Sequence, residues 1–283
     1  MAGNIVLTNN FFYINRKLKP DMMKNFIFCF IVLTAIGCNT STVINMPGAY
    51  LMTTQIINDG KKDTKLTSLK QLKIYTDSFF MYSQVNPADS VSGFGVGSYT
   101  AAKGTVTENV ISSARDTTYN ATPATYKLNI TKNPDGYEQV IPEIVVDSQK
   151  SKLTEVYQTV GTTAKTALDG VWKEINSYTL KGTDTTKNVR TQFKAFYAGY
   201  FIFGASFKDS ASKSRTGIGF GTFEMIGNNN NKIKETDLNS TYAIIAGQSF
   251  NIDIEMSGTD NYNQTITNAD GSKSVEYYER LKK

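Results

Sequence analysis

Four glutamates occupy matching positions in two halves of the chain. Glu108 recurs as Glu235, and Glu155 recurs as Glu276. A pair of carboxyl groups is what glycoside hydrolysis uses, one as the acid and the other as the base or nucleophile. An enzyme that has been duplicated needs such a pair only once, whereas both of its copies must fold. We therefore expect these glutamates to be structural, in cross-strand pairs with lysines or hydroxyl groups.

The residue types that the chain lacks narrow its chemistry further. It has no histidine, and its two cysteines are Cys29 and Cys38. Histidine is the commonest general base, the commonest metal ligand and the usual haem ligand. We therefore expect no metal site, no cofactor and no enzymatic activity.

Glycines alternate with other residues at the same place in each half. They are Gly93, Gly95 and Gly97 in the first half and Gly217, Gly219 and Gly221 in the second. The spacing is not that of a dinucleotide-binding loop, and the next segment has the pattern of a strand, not of a helix. Alternate strand positions share one face, so that face lacks side chains. Either the strand bends to close a sheet on itself, or the bare face opens an internal cavity.

The same order of motifs appears twice, about 120 residues apart, which is the size of a domain and not of a solenoid repeat. The repeated motifs include Gly48–Tyr50 with Gly170–Trp172, and Gln71–Tyr75 with Gln192–Phe196. The sequence therefore predicts two homologous domains in tandem, over residues 46–160 and 169–283. A small and polar segment, residues 161–168, is predicted to link them.

Each half has the pattern of successive short strands. In Tyr126–Ile130 and Phe250–Ile254, apolar and polar residues alternate with a period of two, so one face is buried and the other is in solvent. Eight such segments are predicted in each half, separated by turn sequences such as Asn58-Asp59-Gly60. The pattern predicts an all-β protein of two tandem eight-stranded antiparallel up-and-down barrels, with β-sandwiches as the alternative.

The inward side chains of such barrels are the candidate ligand-binding residues. We expect the lining to include Phe79, Met81, Tyr126, Leu128 and Ile130 in the first barrel and Phe250, Ile252 and Ile254 in the second. An eight-stranded barrel is either filled by its own side chains or has room for one small ligand. The packing of these residues therefore decides whether the barrels bind anything.

Two segments are apolar on both faces of the same strand, Phe79–Tyr82 and Tyr200–Phe203. The inner face belongs to the barrel core, but the outer face must also be covered, because exposed apolar patches mark contact sites. Packing of one barrel on the other would cover it. A partner protein or a lipid surface is the alternative.

The start of the chain has the features of an export signal. Lys24 precedes an apolar run, Phe26–Leu33, and small residues then lead to Gly37 and Cys38. The run is too short for a membrane-spanning helix. Residues 23–37 resemble a bacterial lipoprotein signal peptide, which implies that Cys38 is lipidated and becomes the mature N-terminus.

Residues 1–22 are interpreted as an over-extended start or a long leader, and not as part of the fold. Of the chain's 30 basic and 25 acidic residues, four basic and one acidic precede Cys38, which leaves 26 against 24 and a net charge of +2. So small a charge, without a lysine or arginine cluster, argues against nucleic-acid binding.

We expect the protein at the outer membrane or periplasmic face of a Gram-negative cell envelope.

Gly170-Val171-Trp172 resembles the Gly-x-Trp motif that opens a lipocalin domain. With the aromatic second and third strands, the glycine-rich fourth strand and the Glu-aromatic-aromatic last strand, both copies are similar to bacterial lipocalin-like (calycin-type) lipoproteins. The resemblance implies that Trp172 lies at the closed end of the barrel under Arg280, and that the barrel commonly holds a small apolar ligand. In the first copy Tyr50 replaces the tryptophan and Thr159 takes the arginine position, so that barrel is expected to close differently.

Three functions are consistent with these features. The first is a lipid-anchored envelope protein whose barrels bind a small apolar ligand. The second is a structural or interaction lipoprotein that has an envelope protein as its partner and no small-molecule ligand. The third is a barrel-based isomerase or hydrolase that uses interior acids and tyrosines.

Overall fold

The computed structural model describes residues 5–8, 11–14, 43–86, 92–114, 124–146, 148–162, 164–227 and 231–283. Regular structure in these ranges is entirely β, as predicted. No helix within them is long and apolar enough to cross a membrane. Two short strands, β1 (Ile5–Thr8) and β2 (Phe11–Ile14), pair with each other near the start of the chain. The predicted signal peptide and Cys38 lie outside the described residues.

Barrel 1 is a meander that closes on itself. Its strands are β3 (Gly48–Asn58), β4 (Asp63–Leu66), β5 (Lys70–Tyr75), β6 (Phe79–Val85), β7 (Gly93–Ala102), β8 (Thr105–Ser113), β9 (Ala124–Asn133), β10 (Gly136–Val146) and β11 (Gln149–Val160). Strands β5 to β11 are neighbours in chain order, and β3 pairs with β5 on one side and with β11 on the other. These eight strands form the closed ring, and the short β4 pairs with the far end of β3.

Barrel 2 repeats this arrangement. Its strands are β12 (Gly170–Lys181), β13 (Asp184–Lys187), β14 (Thr191–Tyr197), β15 (Tyr200–Lys208), β16 (Ser214–Ile226), β17 (Lys232–Ser240), β18 (Ser249–Ser257), β19 (Asn261–Thr267) and β20 (Lys273–Arg280). β12 pairs with β20 along most of its length, from Trp172 opposite Arg280 to Leu180 opposite Lys273. The prediction of two tandem eight-stranded barrels is confirmed, and the sandwich alternative is wrong because first and last strands pair directly.

Glycines of the fourth strand of each ring lie opposite a bulge in the fifth strand. The register shifts at Gly97 in barrel 1 and at Gly221 in barrel 2. A Cβ at Gly97 would lie 1.9 Å from the carbonyl oxygen of Asn109, and a Cβ at Gly221 would lie 1.9 Å from that of Thr236. Only glycine fits opposite these bulges, which increase the local twist and curvature of the sheet. The glycine pattern thus serves barrel closure.

Aromatic rings cover the next glycine along each bent strand. A Cβ at Gly95 would lie 2.5 Å from the ring of Tyr82, and a Cβ at Gly219 would lie 2.4 Å from the ring of Phe203. The rings occupy the space that the glycines leave. The interpretation of the bare face as an open cavity therefore fails at these two positions.

The two barrels pack against each other through the outer faces of equivalent strands. A buried apolar cluster, here called the interface cluster, joins β3, β5, β6 and β7 to β12, β14, β15 and β16. The ring of Phe94 lies against Gly204, where an added Cβ would be 2.5 Å away. The hydroxyls of Ser206 and Thr216 donate to the carbonyl oxygen of Ala114 at 3.2 and 2.6 Å. Packing of barrel on barrel, predicted from strands that are apolar on both faces, is confirmed.

Phe79 and Met81 lie in the interface cluster and not in the barrel lining, so the prediction of an inward position is wrong for both. Phe80 and Tyr82 face inward instead and pack in the core of barrel 1. Because β6 is apolar on both faces, the sequence pattern does not show which set points inward. The face with Phe79 and Met81 points outward because it packs against barrel 2.

Both barrels point in the same direction. We call the end that holds Tyr50 or Trp172 the base and the opposite end the mouth. Ala114 follows the mouth end of β8, and its partners Ser206 and Thr216 lie near the mouth ends of β15 and β16. The two mouths therefore open on the same side of the molecule.

The bulge geometry predicts the effect of one added methyl group. Gly97→Ala places a Cβ on the carbonyl oxygen of Asn109, so we expect the free energy of unfolding to fall by roughly 2–4 kcal/mol. Gly93→Ala in the same strand is the control, because nothing lies within 4 Å of its added Cβ. Its effect should stay within about 0.5 kcal/mol. Urea unfolding of the full-length protein measures both, and equal stabilities would contradict the assignment.

Candidate functional site

The base of barrel 2 is closed by a tryptophan and an arginine. Trp172 is fully buried and donates from Nε1 to the carbonyl oxygen of Leu168 at 2.8 Å. The guanidinium of Arg280 lies 4.0 Å from the ring centroid of Trp172 and donates to the carbonyl oxygens of Asp169 and Ala167. The ring of Trp172, the guanidinium of Arg280 and the backbone just before β12 thus close the base of barrel 2. The structure places Trp172 and Arg280 together as the resemblance implies.

Barrel 1 closes its base with different residues. The hydroxyl of Tyr50 donates to the carbonyl oxygen of Met46 at 2.8 Å, which parallels the Trp172 contact. The Nζ of Lys132 lies 4.9 Å from the centroid of the Tyr50 ring and 3.1 Å from its hydroxyl. A cation over an aromatic face is favourable whichever strand supplies it. Lys132, on β9, therefore takes the role of Arg280.

Aromatic and branched side chains fill each barrel above its base. Tyr137 stacks on Tyr157 and Tyr262 stacks on Tyr278, with centroids 4.8 Å apart in both pairs. The predicted lining residues around them are Leu128, Ile130, Ile252 and Ile254, which are buried, and Tyr126 and Phe250, which are partly buried. The base half of each barrel is therefore a packed core.

A buried layer of charged and amide side chains crosses barrel 1 above these rings. The Nζ of Lys73 lies 2.7 Å from the carboxylate of Glu108 and 3.1 Å from Oε1 of Gln139. Glu155 accepts hydrogen bonds from Gln55 at 2.7 Å and from Gln139 at 2.9 Å. All five residues are buried, so each charge is compensated inside the protein and not by water.

Barrel 2 carries the same layer at equivalent positions. The Nζ of Lys194 lies 2.6 Å from the carboxylate of Glu235 and 3.1 Å from Oε1 of Gln264. Gln264 and the hydroxyl of Tyr278 donate to Glu276 at 2.7 and 2.6 Å. We call Lys73, Glu108, Gln139 and Glu155, with Lys194, Glu235, Gln264 and Glu276, the ion layers.

The contacts of the repeated glutamates in the ion layers differ in one respect from the predicted cross-strand pairs. Their partners include lysines and hydroxyls, as expected. However, Lys73 on β5 and Glu108 on β8 are not on neighbouring strands, so this pair spans the barrel interior instead of joining adjacent strands. Burial raises the pKa of Glu155 and of Glu235, while Lys73 and Lys194, respectively, act to lower it.

At three inward positions beside the ion layers, an apolar residue of barrel 1 is replaced by a charged residue in barrel 2. When the repeated motifs are aligned, Met52, Leu69 and Val110 of barrel 1 correspond to Glu174, Arg190 and Asp237 of barrel 2. The three residues of barrel 1 belong to its apolar core. In barrel 2, Arg190 donates to both carboxylate oxygens of Glu174, at 3.1 and 2.7 Å, and to Glu276 at 2.7 Å.

Asp237 differs from the other charged residues of the barrel 2 interior. Among the described residues, its Oδ1 has no hydrogen-bond partner, although the residue is only 4% exposed. Burial and, secondarily, the charge of Glu235 raise the pKa of Asp237 to about 7. Its backbone N–H and carbonyl bond instead to Gln248 and Gly247, which hold the end of the loop after β17.

Two stacked rings lie at the mouth of barrel 2. Phe203 covers Gly219, and Tyr242, in the loop of residues 241–248, covers Gly217, with added Cβ atoms 2.4 and 2.0 Å from the respective side chains. The ring centroids are 6.4 Å apart and the ring planes differ by 10°. The bare glycine positions of β16 thus bring a strand residue and a loop residue into contact.

Strand register places Asp237 next to these rings. Its partner on β16 is Gly221, which follows Gly219 by two residues on the same face. We call Asp237, Phe203 and Tyr242 the mouth site. None of the three is predicted as a site residue from the sequence, because Asp237 corresponds to an apolar residue in the other copy and Tyr242 lies in a loop without a motif.

The ion layers predict opposite effects of single and paired substitution. Lys194→Met leaves Glu235 buried without its cation, so we expect a loss of about 3–5 kcal/mol in the free energy of unfolding. Lys194→Met with Glu235→Leu removes both charges and should recover most of that loss. Lys208→Met, at an exposed position, is the control and should stay within about 0.5 kcal/mol. Urea unfolding gives all three, and a double variant no more stable than the single one contradicts the pairing.

Asp237 predicts a pH dependence of stability. Its pKa is raised from 3.8 to about 7, so its bound proton stabilises the fold fully below about pH 4 and this stabilisation is lost as the pH rises through 7. Between pH 5 and 8 the wild type should lose stability relative to Asp237→Asn, by up to about 1.4 kcal/mol per pH unit for one proton. The chain has no histidine, and Glu174, whose pKa burial also raises to about 7, is present in both proteins, so the comparison isolates Asp237. Parallel unfolding profiles of the two proteins would contradict the assignment.

No protein-family model matches the chain, and no curated protein matches it. It is similar to a solved structure from Nostoc punctiforme, a protein of unknown function in the DUF3598 family. The identity is 10% and the TM-score 0.25, over 83% of this chain and 96% of that one. A likeness at this level carries no argument about function.

Proposed function

We propose that this protein is anchored in the cell envelope through a lipid on Cys38 and binds a small molecule at the mouth site of barrel 2. The signal-like segment over residues 23–37 supports the export and the anchor. The buried charge and stacked rings of the mouth site support the binding. Barrel 1 is the rigid partner that holds barrel 2 through the interface cluster.

The contrast between the two barrels is the observation that carries the proposal. Barrel 1 folds with Met52, Leu69 and Val110 at three inward positions, so this type of barrel does not require charges there. Barrel 2 has a charged side chain at each of the same positions, partly buried for Arg190 and buried for Glu174 and Asp237. Burial of charge is unfavourable unless it is compensated. These side chains therefore serve an interaction that the fold alone does not need.

The geometry also restricts where the ligand binds and which chemical class it belongs to. Because rings fill the base half of barrel 2, the ligand binds above the ion layer. There it contacts the rings of Phe203 and Tyr242 and the carboxylate of Asp237. Instead of a purely apolar ligand in both barrels, we propose a small ligand with an apolar part and a polar part, bound in barrel 2.

Exposed apolar side chains near the same mouth favour a second candidate function. Ile244, in the loop of residues 241–248, is 86% exposed, and Leu238, near the end of β17, is 47% exposed. Exposed apolar surface is typical of sites that contact another protein. In this alternative an envelope protein docks at the mouth and no small molecule binds.

Native mass spectrometry tests the proposal on full-length protein that is expressed with its own leader and extracted from membranes in mild detergent. We expect a polypeptide that begins at a lipidated Cys38 and carries a small-molecule adduct. Phe203→Ala should lower the fraction with the adduct about tenfold, because one packed aromatic contact is lost. Tyr82→Ala is the matched control, because it removes the equivalent ring of barrel 1, and it should leave the adduct unchanged.

Two results would contradict the binding proposal. One is wild-type protein without any adduct, and the other is an adduct that both variants lose equally. A second protein bound in place of the small molecule would support the interaction alternative instead.

A further inference from the structure

We infer that the ligand of the mouth site carries a protonated amine, which donates a hydrogen bond to Oδ1 of Asp237. This inference rests on the proposed function and gives the chemical class of its ligand. It is argued from the direction of the Asp237 side chain, the charge balance around it and the rings beside it.

Asp237 points into barrel 2. Ile233, Glu235 and Asp237 are the buried residues of β17 and alternate with more exposed ones, so all three share the inner face. The Oδ1 atom has no hydrogen-bond donor among the described residues. A buried carboxylate oxygen without a donor is unfavourable, and a ligand that enters from the mouth can supply the donor.

The positive charges of the barrel 2 interior are already engaged. Lys194 contacts Glu235 at 2.6 Å, and Arg190 contacts Glu174 and Glu276, each at 2.7 Å. Both cations thus make their ion pairs with other acids, and the more distant charge of Lys194 only partly offsets the effect of burial on the pKa of Asp237. An added cation is therefore favoured at Asp237, whereas an added anion would be repelled by it and by the neighbouring Glu235.

The rings of the mouth site suit the same kind of ligand. The faces of Phe203 and Tyr242 are stacked at the glycine-lined wall that lies next to Asp237. Aromatic faces attract ammonium groups and also pack against the apolar body of an organic amine. A carboxylate beside two rings is thus complementary to an organic cation. An inorganic cation would need several oxygen ligands.

Tyr242 is the most exposed residue of the mouth site. Its side chain belongs to the loop of residues 241–248, and the residue is 41% exposed. The loop is held at its two ends, by Thr241 bonding to Ile218 and by Gly247 bonding to Asp237. We expect a ligand to reach Asp237 by displacing the Tyr242 ring from its place over Gly217.

Isothermal titration of the full-length protein in detergent tests the inference with three matched probes: 2-phenylethylamine, 2-phenylethanol and 3-phenylpropionate. We expect the amine to bind at least about tenfold more tightly than the alcohol, and the carboxylate not to bind. Asp237→Asn should remove the preference for the amine. Asp270→Asn is the control, because it removes an exposed carboxylate that pairs with Lys181 near the same mouth, and it should preserve the preference.

Tyr242→Ala provides a second variant at a partly exposed loop position, in case Asp237→Asn does not fold. It should weaken the amine severalfold. Equal binding of amine and alcohol to the wild type would overturn the amine and leave the mouth site as a ligand site. A preference that persists in Asp237→Asn would also overturn it. If no probe binds, the inference fails, and the native adduct then decides the proposed function separately.

Discussion

Each barrel depends on one buried contact between an ammonium group and a carboxylate, Lys73 with Glu108 and Lys194 with Glu235. These contacts separate a packed half of each interior from a half in which the two barrels differ. Each contact joins strands that are not neighbours, so it holds opposite parts of the ring at a set distance. A buried charge that loses its partner is strongly unfavourable, and the two side chains must therefore stay together. Between these contacts and the base, aromatic rings pack the interior of each barrel and stabilise the fold. Above them the interior is free to differ between the copies.

The two barrels differ in this part of the interior, between the ion layers and the mouths. Their outer faces are bound together by the interface cluster, and their bases close by the same principle, an aromatic ring under a cation. At three inward positions beside the ion layers, apolar residues of barrel 1 are replaced by charged residues in barrel 2. Arg190 links Glu174 and Glu276 in barrel 2, while Asp237 remains without such a partner. A duplicated fold thus keeps apolar side chains at these positions in one copy and charged side chains in the other.

Much of this fold is predictable from the sequence, for a physical reason. Period-two alternation and turn residues are local signals, and the repeat supplies each of them twice, so the number and order of the ring strands are recovered. The polar four-residue strands β4 and β13 carry no such alternation and are missed. The inward phase of β6 is wrong because Phe79–Tyr82 is apolar throughout, and only contact with barrel 2 distinguishes its faces.

The site residues are less predictable because they depend on contacts between distant segments. Lys132 replaces Arg280 from a different strand, so alignment of the copies points to Thr159 instead. The lysines of the ion layers do have a signal, since Gln71-x-Lys73 recurs as Gln192-x-Lys194, but nothing local shows that they face inward. Asp237 becomes noticeable only when its burial and its missing partner are known.

The central claim is that the charges specific to barrel 2 serve binding and not folding. The most direct measurement is the free energy of unfolding, in urea, of the variant Glu174→Met/Arg190→Leu/Asp237→Val, which gives barrel 2 the residues of barrel 1. Since a buried ion network replaced by apolar side chains is often neutral or stabilising, the account predicts a variant at least as stable as the wild type. A variant that is destabilised by several kcal/mol, or that does not fold, would show that these charges belong to the fold and would contradict the account.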